Sequence, residues 1–235
     1  MPRAVLLDLY HTLVDGGSDE RWRHVNRAMG ADLGVDPDRY AAAYLASSAQ
    51  RFVGALGDLE ATVRAVSVSC GVSPAPAAVR LAATRRLAEV RERLWPSAAT
   101  LHALDRLRAD GWRLGLVSNC SAETPTLWPS TPLAARFEAV GFSCALGSGK
   151  PDPAIFLAVC SHLGVAPTDC VFVGDGEGDE LPAAANLGMS VIRTVEFVPS
   201  SSPWPPRRVG SLAELPDLLG VSGPPARSPM SAEPA

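Results

Sequence analysis

"AVLLDLYHTLVD", residues 4–15, starts as an apolar run, closes that run on a carboxylate, Asp8, and passes at once into a phenol and an imidazole. A short apolar run closed by polar residues has the length of a buried strand. The same grammar recurs in "RLGLVSN" (113–119) and "CVFVGD" (170–175), and a fourth run, "MSVIRT" (189–194), follows a Gly. Between these runs the apolar period lengthens. In "SAATLHALDRLRADG" (97–111), Leu101, Leu104 and Leu107 share one helical face and Gly111 suits the C-cap. "PDPAIFLAVCSHLG" (151–164) opens on Pro and ends on Gly, and "DELPAAANLGM" (179–189) is a shorter helix. Strands alternating with helices predict an α/β fold, a Rossmann-like parallel sheet covered on both faces.

Residues 16–94 break that alternation. "DERWRHVNRAMGADLG", "PDRYAAAYLASSAQRFVGAL", "DLEATVRAVSVSCG" and "PAPAAVRLAATRRLAEVRERL" are all helical in period, with breaks expected at Gly30–Pro37, Gly57 and Gly71–Pro76. The expected organisation is an α/β core of residues 1–15 and 95–220, an inserted all-helical domain of 16–94, and a disordered Pro/Ser-rich tail of 221–235. Within the core, "PSSSPWPPRR" (199–208) reads as a loop and "SLAELPDLLG" (211–220) as a short last helix.

Composition excludes several classes. The 235 residues carry a formal net charge of −4 with no basic block, which leaves a nucleic-acid surface without electrostatic support. No apolar run approaches membrane-spanning length, and the N-terminal one is too short for a signal peptide and interrupted by Asp8. The five Cys form no CxxC pair and read as reduced thiols of a cytoplasmic protein, monomeric or homodimeric. "GSGKP" (147–151) fails as a P-loop because Cys144 stands where its first Gly belongs and Pro151 where Ser or Thr would hold Mg²⁺. "GFSCA" (141–145) lacks the last Gly of a nucleophile elbow.

In a parallel sheet, reactive groups collect at the carboxyl ends of the strands. The first run ends in Asp8, the second in Ser118 and Asn119, the third in Asp175. Lys150 lies between the second and third, in "GSGKPDP", and Asp179 and Glu180 follow the third. Helix capping explains Ser118, Asp152 or Asp175 singly. It does not explain the ordered set.

That set resembles the haloacid dehalogenase-like hydrolases, a superfamily of phosphatases, dehalogenases and related phosphoryl-transfer enzymes. "DLYHT" resembles its first motif, "VSN" its second, "KPDPAIF" its third and "GDGEGDE" its fourth, and the helical insert matches the position of its cap domain. The resemblance implies that Asp8 is a nucleophile and that Lys150 neutralises charge between it and the transferring group. It places Thr12, Ser118 and Asn119 on the substrate side. It implies Mg²⁺ held by Asp8, Asp175 and one of Asp179 or Glu180. The implied activity is Mg²⁺-dependent hydrolysis of a small phosphomonoester through an aspartyl phosphate.

One position departs from the pattern. Phosphatases of this superfamily carry a second Asp two residues after the nucleophile as general acid–base, and here that position is Tyr10. A phenol can donate a proton but is a poor base near neutrality, so Tyr10 is a catalytic candidate of altered kind. His11, if the strand continues, points away from Asp8. Asp-x-Tyr is the pattern of the metal-independent 2-haloacid dehalogenases, which makes metal-free dehalogenation the alternative. Against it stand the acidic "GDGEGDE", Phe156 in place of their Tyr, and His11 in place of Gly. A third possibility is a ligand-binding protein that keeps the fold without turnover. From the insert, Trp22, Arg39 and Arg51 are the side chains able to reach a substrate.

Overall fold

Ala4–Leu7 (β1) is buried at every residue and sits at the centre of the sheet. The computed structural model describes residues 3–221, so residues 1–2 and all but the first residue of the expected 221–235 tail lie outside the described residues. After β1 come five helices: Asp19–Asp32 (α1), Pro37–Ala46 (α2), Ser48–Phe52 (α3), Leu59–Ser69 (α4) and Pro76–Arg93 (α5). The chain continues through Ala98–Ala109 (α6), Arg113–Ser118 (β2), Glu123–Leu127 (α7), Ala139–Phe142 (β3) and Ser143–Leu146 (α8). It closes with Pro153–Leu163 (α9), Cys170–Gly174 (β4), Glu180–Asn186 (α10), Ser190–Thr194 (β5), Arg208–Val209 (β6) and Leu215–Leu218 (α11).

The six strands are all parallel, in the order β3-β2-β1-β4-β5-β6. Leu7 pairs with Leu116 on one side and Val173 on the other, which brings Asp8, Ser118 and Asp175 to one edge. The alternation of β1 splits the core. Val5 and Leu7 join Leu104, Leu107 and Leu116 on one face, and Ala4 and Leu6 join Ile155, Phe156 and Leu163 on the other. Each such Leu or Phe, fully buried, contributes roughly 1.5–3 kcal/mol.

Two strands escape the sequence reading. β3 has only four residues and leaves Val140 exposed, and β6 is a two-residue edge strand that begins at the last residue of the stretch expected to be loop. The helical stretch is also broken differently. α1 runs through Gly30 to Asp32, and Gly30 sits inside the helix because a Cβ there would lie 2.8 Å from that of Tyr40. The break falls at Leu33–Asp36, within the expected Gly30–Pro37, and Ser47 divides the next expected helix into α2 and α3. Ser18, Asp36 and Asp58 cap α1, α2 and α4 with their side chains, each contributing about 1 kcal/mol. These helices enclose their own apolar cluster of Met29, Tyr40, Tyr44, Val63 and Val79. All five cysteines are free thiols, and no helix among the described residues is long and apolar enough to cross a membrane.

Candidate active site

A cavity of about 650 Å³ opens between the carboxyl edge of the sheet and the helices α1, α2, α3 and α5. Its floor is built by strand ends. Asp8 directly follows β1, and its backbone N–H still donates to Val173 O at 3.0 Å, so the strand ladder aims the carboxylate at the cavity. Lys150 Nζ donates to Asp8 Oδ1 and, at 2.6 Å, to Glu180 Oε2. All three side chains are buried.

Asn119 holds that lysine in place. Its Oδ1 accepts from the Lys150 backbone N–H and its Nδ2 donates to the Lys150 carbonyl, both at 2.8 Å. Asn119 was expected on the substrate side; it lines the cavity, but its amide is spent largely on positioning Lys150.

The "GDGEGDE" loop supplies two further carboxylates. Asp175 is buried and accepts from Glu177 N–H at 3.0 Å. Glu180 is buried at the start of α10 and accepts from Gly176 N–H at 3.0 Å. Gly174 makes room for it, since a Cβ there would lie 1.9 Å from Glu180 Oε1. Oxygens of Asp8, Asp175 and Glu180 come within 4.8 Å of one another. Asp179 is not among them. It is exposed, with φ +59, and the turn carries its side chain away from the cluster. Of the two acids left open by the sequence, only Glu180 joins the group.

Burial above all pushes the Asp8 carboxyl up, with Lys150 pulling it back. Burial likewise pushes Glu180 up to about 7 against the same ammonium. Burial alone would lower Lys150, but its two carboxylates outweigh that and hold it charged above its ordinary range. Three acids around one ammonium leave the floor short of positive charge.

Thr12 and Ser118, also expected on the substrate side, are wholly buried and are not on the cavity surface. Neither Oγ1 of Thr12 nor Oγ of Ser118 has a hydrogen-bond partner. Tyr10 does line the cavity, and its hydroxyl meets Thr124 Oγ1 at 2.9 Å. Burial pushes that phenol well above its ordinary range.

His11 overturns the expectation that it faces away. The strand stops at Leu7, and the carbonyl of Leu9 gathers the N–H groups of Leu13 and Val14 into a tight turn. His11 takes φ +60 in that turn and lines the cavity with Asp8. Its ring rests on Gly16, where a Cβ would lie 2.3 Å from Nε2, and its buried Nδ1 has no partner. A left-handed residue other than Gly costs about 1–2 kcal/mol, and such strain gathers at functional sites.

The roof is a second charged network, which the sequence reading missed except for Trp22 and Arg51. Glu123, from α7 of the sheet half, is buried and accepts from Arg86 Nε of α5 at 2.7 Å and from the Tyr44 hydroxyl of α2 at 3.0 Å. Arg86 also lies over Trp22, 4.3 Å from the ring centroid, and donates to Asn26 Oδ1 at 3.3 Å. Burial would raise Glu123, but the Arg86 charge leads the forces that outweigh it, and the carboxyl is held at about 2. Arg39, by contrast, is exposed and does not line the cavity. Glu123 follows the second strand by only five residues, yet no spacing rule marks it in the sequence.

Comparison with known proteins follows the same lines. The profile of the haloacid dehalogenase-like hydrolases matches residues 2–188. N-acylneuraminate-9-phosphatase of Homo sapiens is 35% identical over 152 residues, covering 59% of this chain and 61% of that protein. Against it and its mouse and rat counterparts, the chain spans about three fifths of the relatives' length. Among solved structures, a 2-haloacid dehalogenase from Pseudomonas syringae pv. Tomato DC3000 superposes with a TM-score of 0.73 at 21% identity, over 94% of this chain and 99% of that one. An enzyme from Bacteroides thetaiotaomicron, solved as a complex with magnesium and inorganic phosphate, gives 0.63 at 18% identity over 87% and 98% of the two chains.

Proposed function

The chain belongs to the haloacid dehalogenase-like hydrolases, and from that premise we propose that it hydrolyses the phosphomonoester of a small metabolite, with Asp8 as nucleophile. The observation that carries this reading is the floor: Asp8 beside Lys150, with Asp175 and Glu180 in the same buried group. In this reading residues 16–94 act as a cap over a core of 1–15 and 95–220, and the five free thiols support a reducing, cytoplasmic setting.

The donor set fits Mg²⁺. Three carboxylates and one ammonium leave a formal charge of −2, and hard oxygen ligands suit that ion. Asp8, Asp175 and Glu180 would hold it. When bound, it supplies the charge neutralisation that lets an anionic carboxylate approach an anionic ester.

The remaining chemistry falls to the chain. Asp8 attacks phosphorus, the bond to the leaving oxygen breaks, and that oxygen takes a proton. Water then attacks the aspartyl phosphate, loses a proton, and frees Asp8 and inorganic phosphate. Lys150 stabilises the charge that develops on the transferring group. Tyr10 stays protonated and engaged by Thr124, so it orients ligand and does not act as base. The proton given to the leaving oxygen and the proton taken from water are assigned to His11, an imidazole at the same cavity.

Phosphate release from an aryl phosphate tests the reading. Release should require Mg²⁺, and Asp8→Asn should lower it at least about 10⁴-fold. Tyr10 keeps a second reading in view, attack of Asp8 on a halogenated carbon with loss of halide. Metal-independent chloride release from 2-chloropropionate would establish that reading and overturn the first.

A further inference from the structure

Arg51 is a buried cation whose charge nothing beside it directly answers. Its side chain lies on the cavity wall at the end of α3, and the residue is 7% exposed. Nε donates to Ser47 Oγ at 3.1 Å, one terminal nitrogen to Ser121 Oγ at 3.0 Å, and the other to the Tyr44 carbonyl at 3.3 Å. All three acceptors are neutral. A guanidinium has five N–H groups, so one on each terminal nitrogen is left over to donate to a ligand carboxylate. The Tyr44 ring, 4.3 Å from the guanidinium carbon, stacks beneath it and fixes its plane.

The charge around it points the same way. The buried roof holds two cations, Arg51 and Arg86, and one anion, Glu123, which bonds Arg86 and Tyr44 directly and reaches Arg51 only across space and through Ser121. Asp19, Arg23, Asp38 and Glu177 also border the cavity, but they are exposed, and water screens them. A buried guanidinium without an anionic partner is costly, and the cost is recovered when a ligand brings the missing charge.

Resting on the phosphomonoester reading, we propose that the substrate is a phosphorylated acid: its phosphoryl group meets Asp8 and Lys150 on the floor, and a carboxylate at its other end is held by Arg51 in the roof. The cavity, at about 650 Å³, suits a sugar-sized chain and would leave a three-carbon ester loosely held.

The test compares esters that differ only in the end group, with Mg²⁺ present: 6-phosphogluconate against glucitol 6-phosphate, and 3-phosphoglycerate against glycerol 3-phosphate. The acid should be preferred in kcat/KM by about tenfold to a hundredfold in the longer pair, the worth of a charge-assisted contact. Arg51→Met should abolish that preference, and Arg51→Lys should reduce it severalfold. If circular dichroism shows Arg51→Met unfolded, Arg51→Lys decides. Equal turnover of acid and alcohol, or a preference that survives in the variants, overturns the proposal and leaves the phosphatase reading standing. If no ester is turned over, that reading fails by itself. Calorimetric binding of the same pairs to Asp8→Asn then decides this one: tighter binding of the acid, lost in the double variant with Arg51→Met, supports it, and equal or absent binding overturns it.

Discussion

Floor and roof of the cavity are opposite in charge logic. Below, Asp8 and Glu180 hold one ammonium, Lys150, with Asp175 in the same group of carboxylates; above, the one carboxylate, Glu123, pairs with Arg86 and leaves Arg51 bonded only to neutral acceptors. Each network is buried, and each ties together elements distant in sequence: β1, β4 and their loops below, α2, α3, α5 and α7 above. Neither is neutral by itself. The floor wants a cation and the roof wants an anion, so each end is incomplete in the way that a metal with a phosphorylated acid would complete. Buried ion pairs add little net stability over apolar packing. Their value here lies in what they leave unmatched.

Breaking the floor should produce the larger effect. Lys150→Met removes the cation bonded to Asp8 and Glu180 and leaves the three clustered carboxylates facing one another in a buried site. Removing one partner of a buried pair costs about 3–5 kcal/mol. Urea unfolding at pH 8 without metal should show a loss of that order, and added Mg²⁺ should restore part of it because the ion binds only the folded state. A loss under 1 kcal/mol would mean that the three acids are not ionised together, and the floor's charge deficit would vanish as an argument.

Breaking the roof should cost somewhat less, with a pH signature. Glu123 titrates at about 2 in the folded protein against an ordinary 4.5. Its contribution is therefore fully present above pH 5 and is lost as the pH falls from about 4.5 towards 2. The difference amounts to roughly 3 kcal/mol. Glu123→Gln should be destabilised by about that much at pH 7, and its unfolding curve should converge on that of the unaltered protein as the pH falls to about 2. A parallel offset at every pH would place the effect in packing and not in the charge.

The two ends also differ in how far the sequence discloses them. Asp8 and Asp175 were legible because strand ends in a parallel sheet are fixed by topology and short apolar runs betray the strands, while Lys150 and Glu180, off the strand ends, came with the resemblance of their motifs. What remained open there was a matter of loop geometry. A left-handed Asp179 sends one acid outward and Glu180 inward, and no spacing in "GDGEGDE" decides between them. The roof was nearly illegible. Arg86 lies on α5, a helix where charged residues are common, and Glu123 reaches it across 37 residues of chain. Such pairs depend on how the helical layer sits over the sheet, which no local period encodes. The turn after β1 failed for a third reason: extended strand geometry puts His11, three residues past Asp8, on the opposite face, whereas the strand stops at Leu7 and a tight turn brings His11 to the cavity.

His11 is where that reversal matters, and its loss should be the smallest of these effects. General acid–base help is worth about 10²-fold or more, so His11→Gln should lower kcat/KM by about 10², just under 3 kcal/mol. A residue that merely fills the turn would change stability and leave the pH dependence intact. A proton carrier should instead take with it one limb of the pH–rate profile. His11→Gly separates the two roles further. It relieves the left-handed backbone at φ +60 and should fold at least as well, yet it should be as slow as His11→Gln. Tyr10→Phe supplies the contrast, because it deletes only a hydroxyl already engaged by Thr124 and should cost less than about tenfold. If Tyr10→Phe removes the pH limb and His11→Gly leaves it in place, proton transfer belongs to the phenol, and the floor's chemistry must be rebuilt around it.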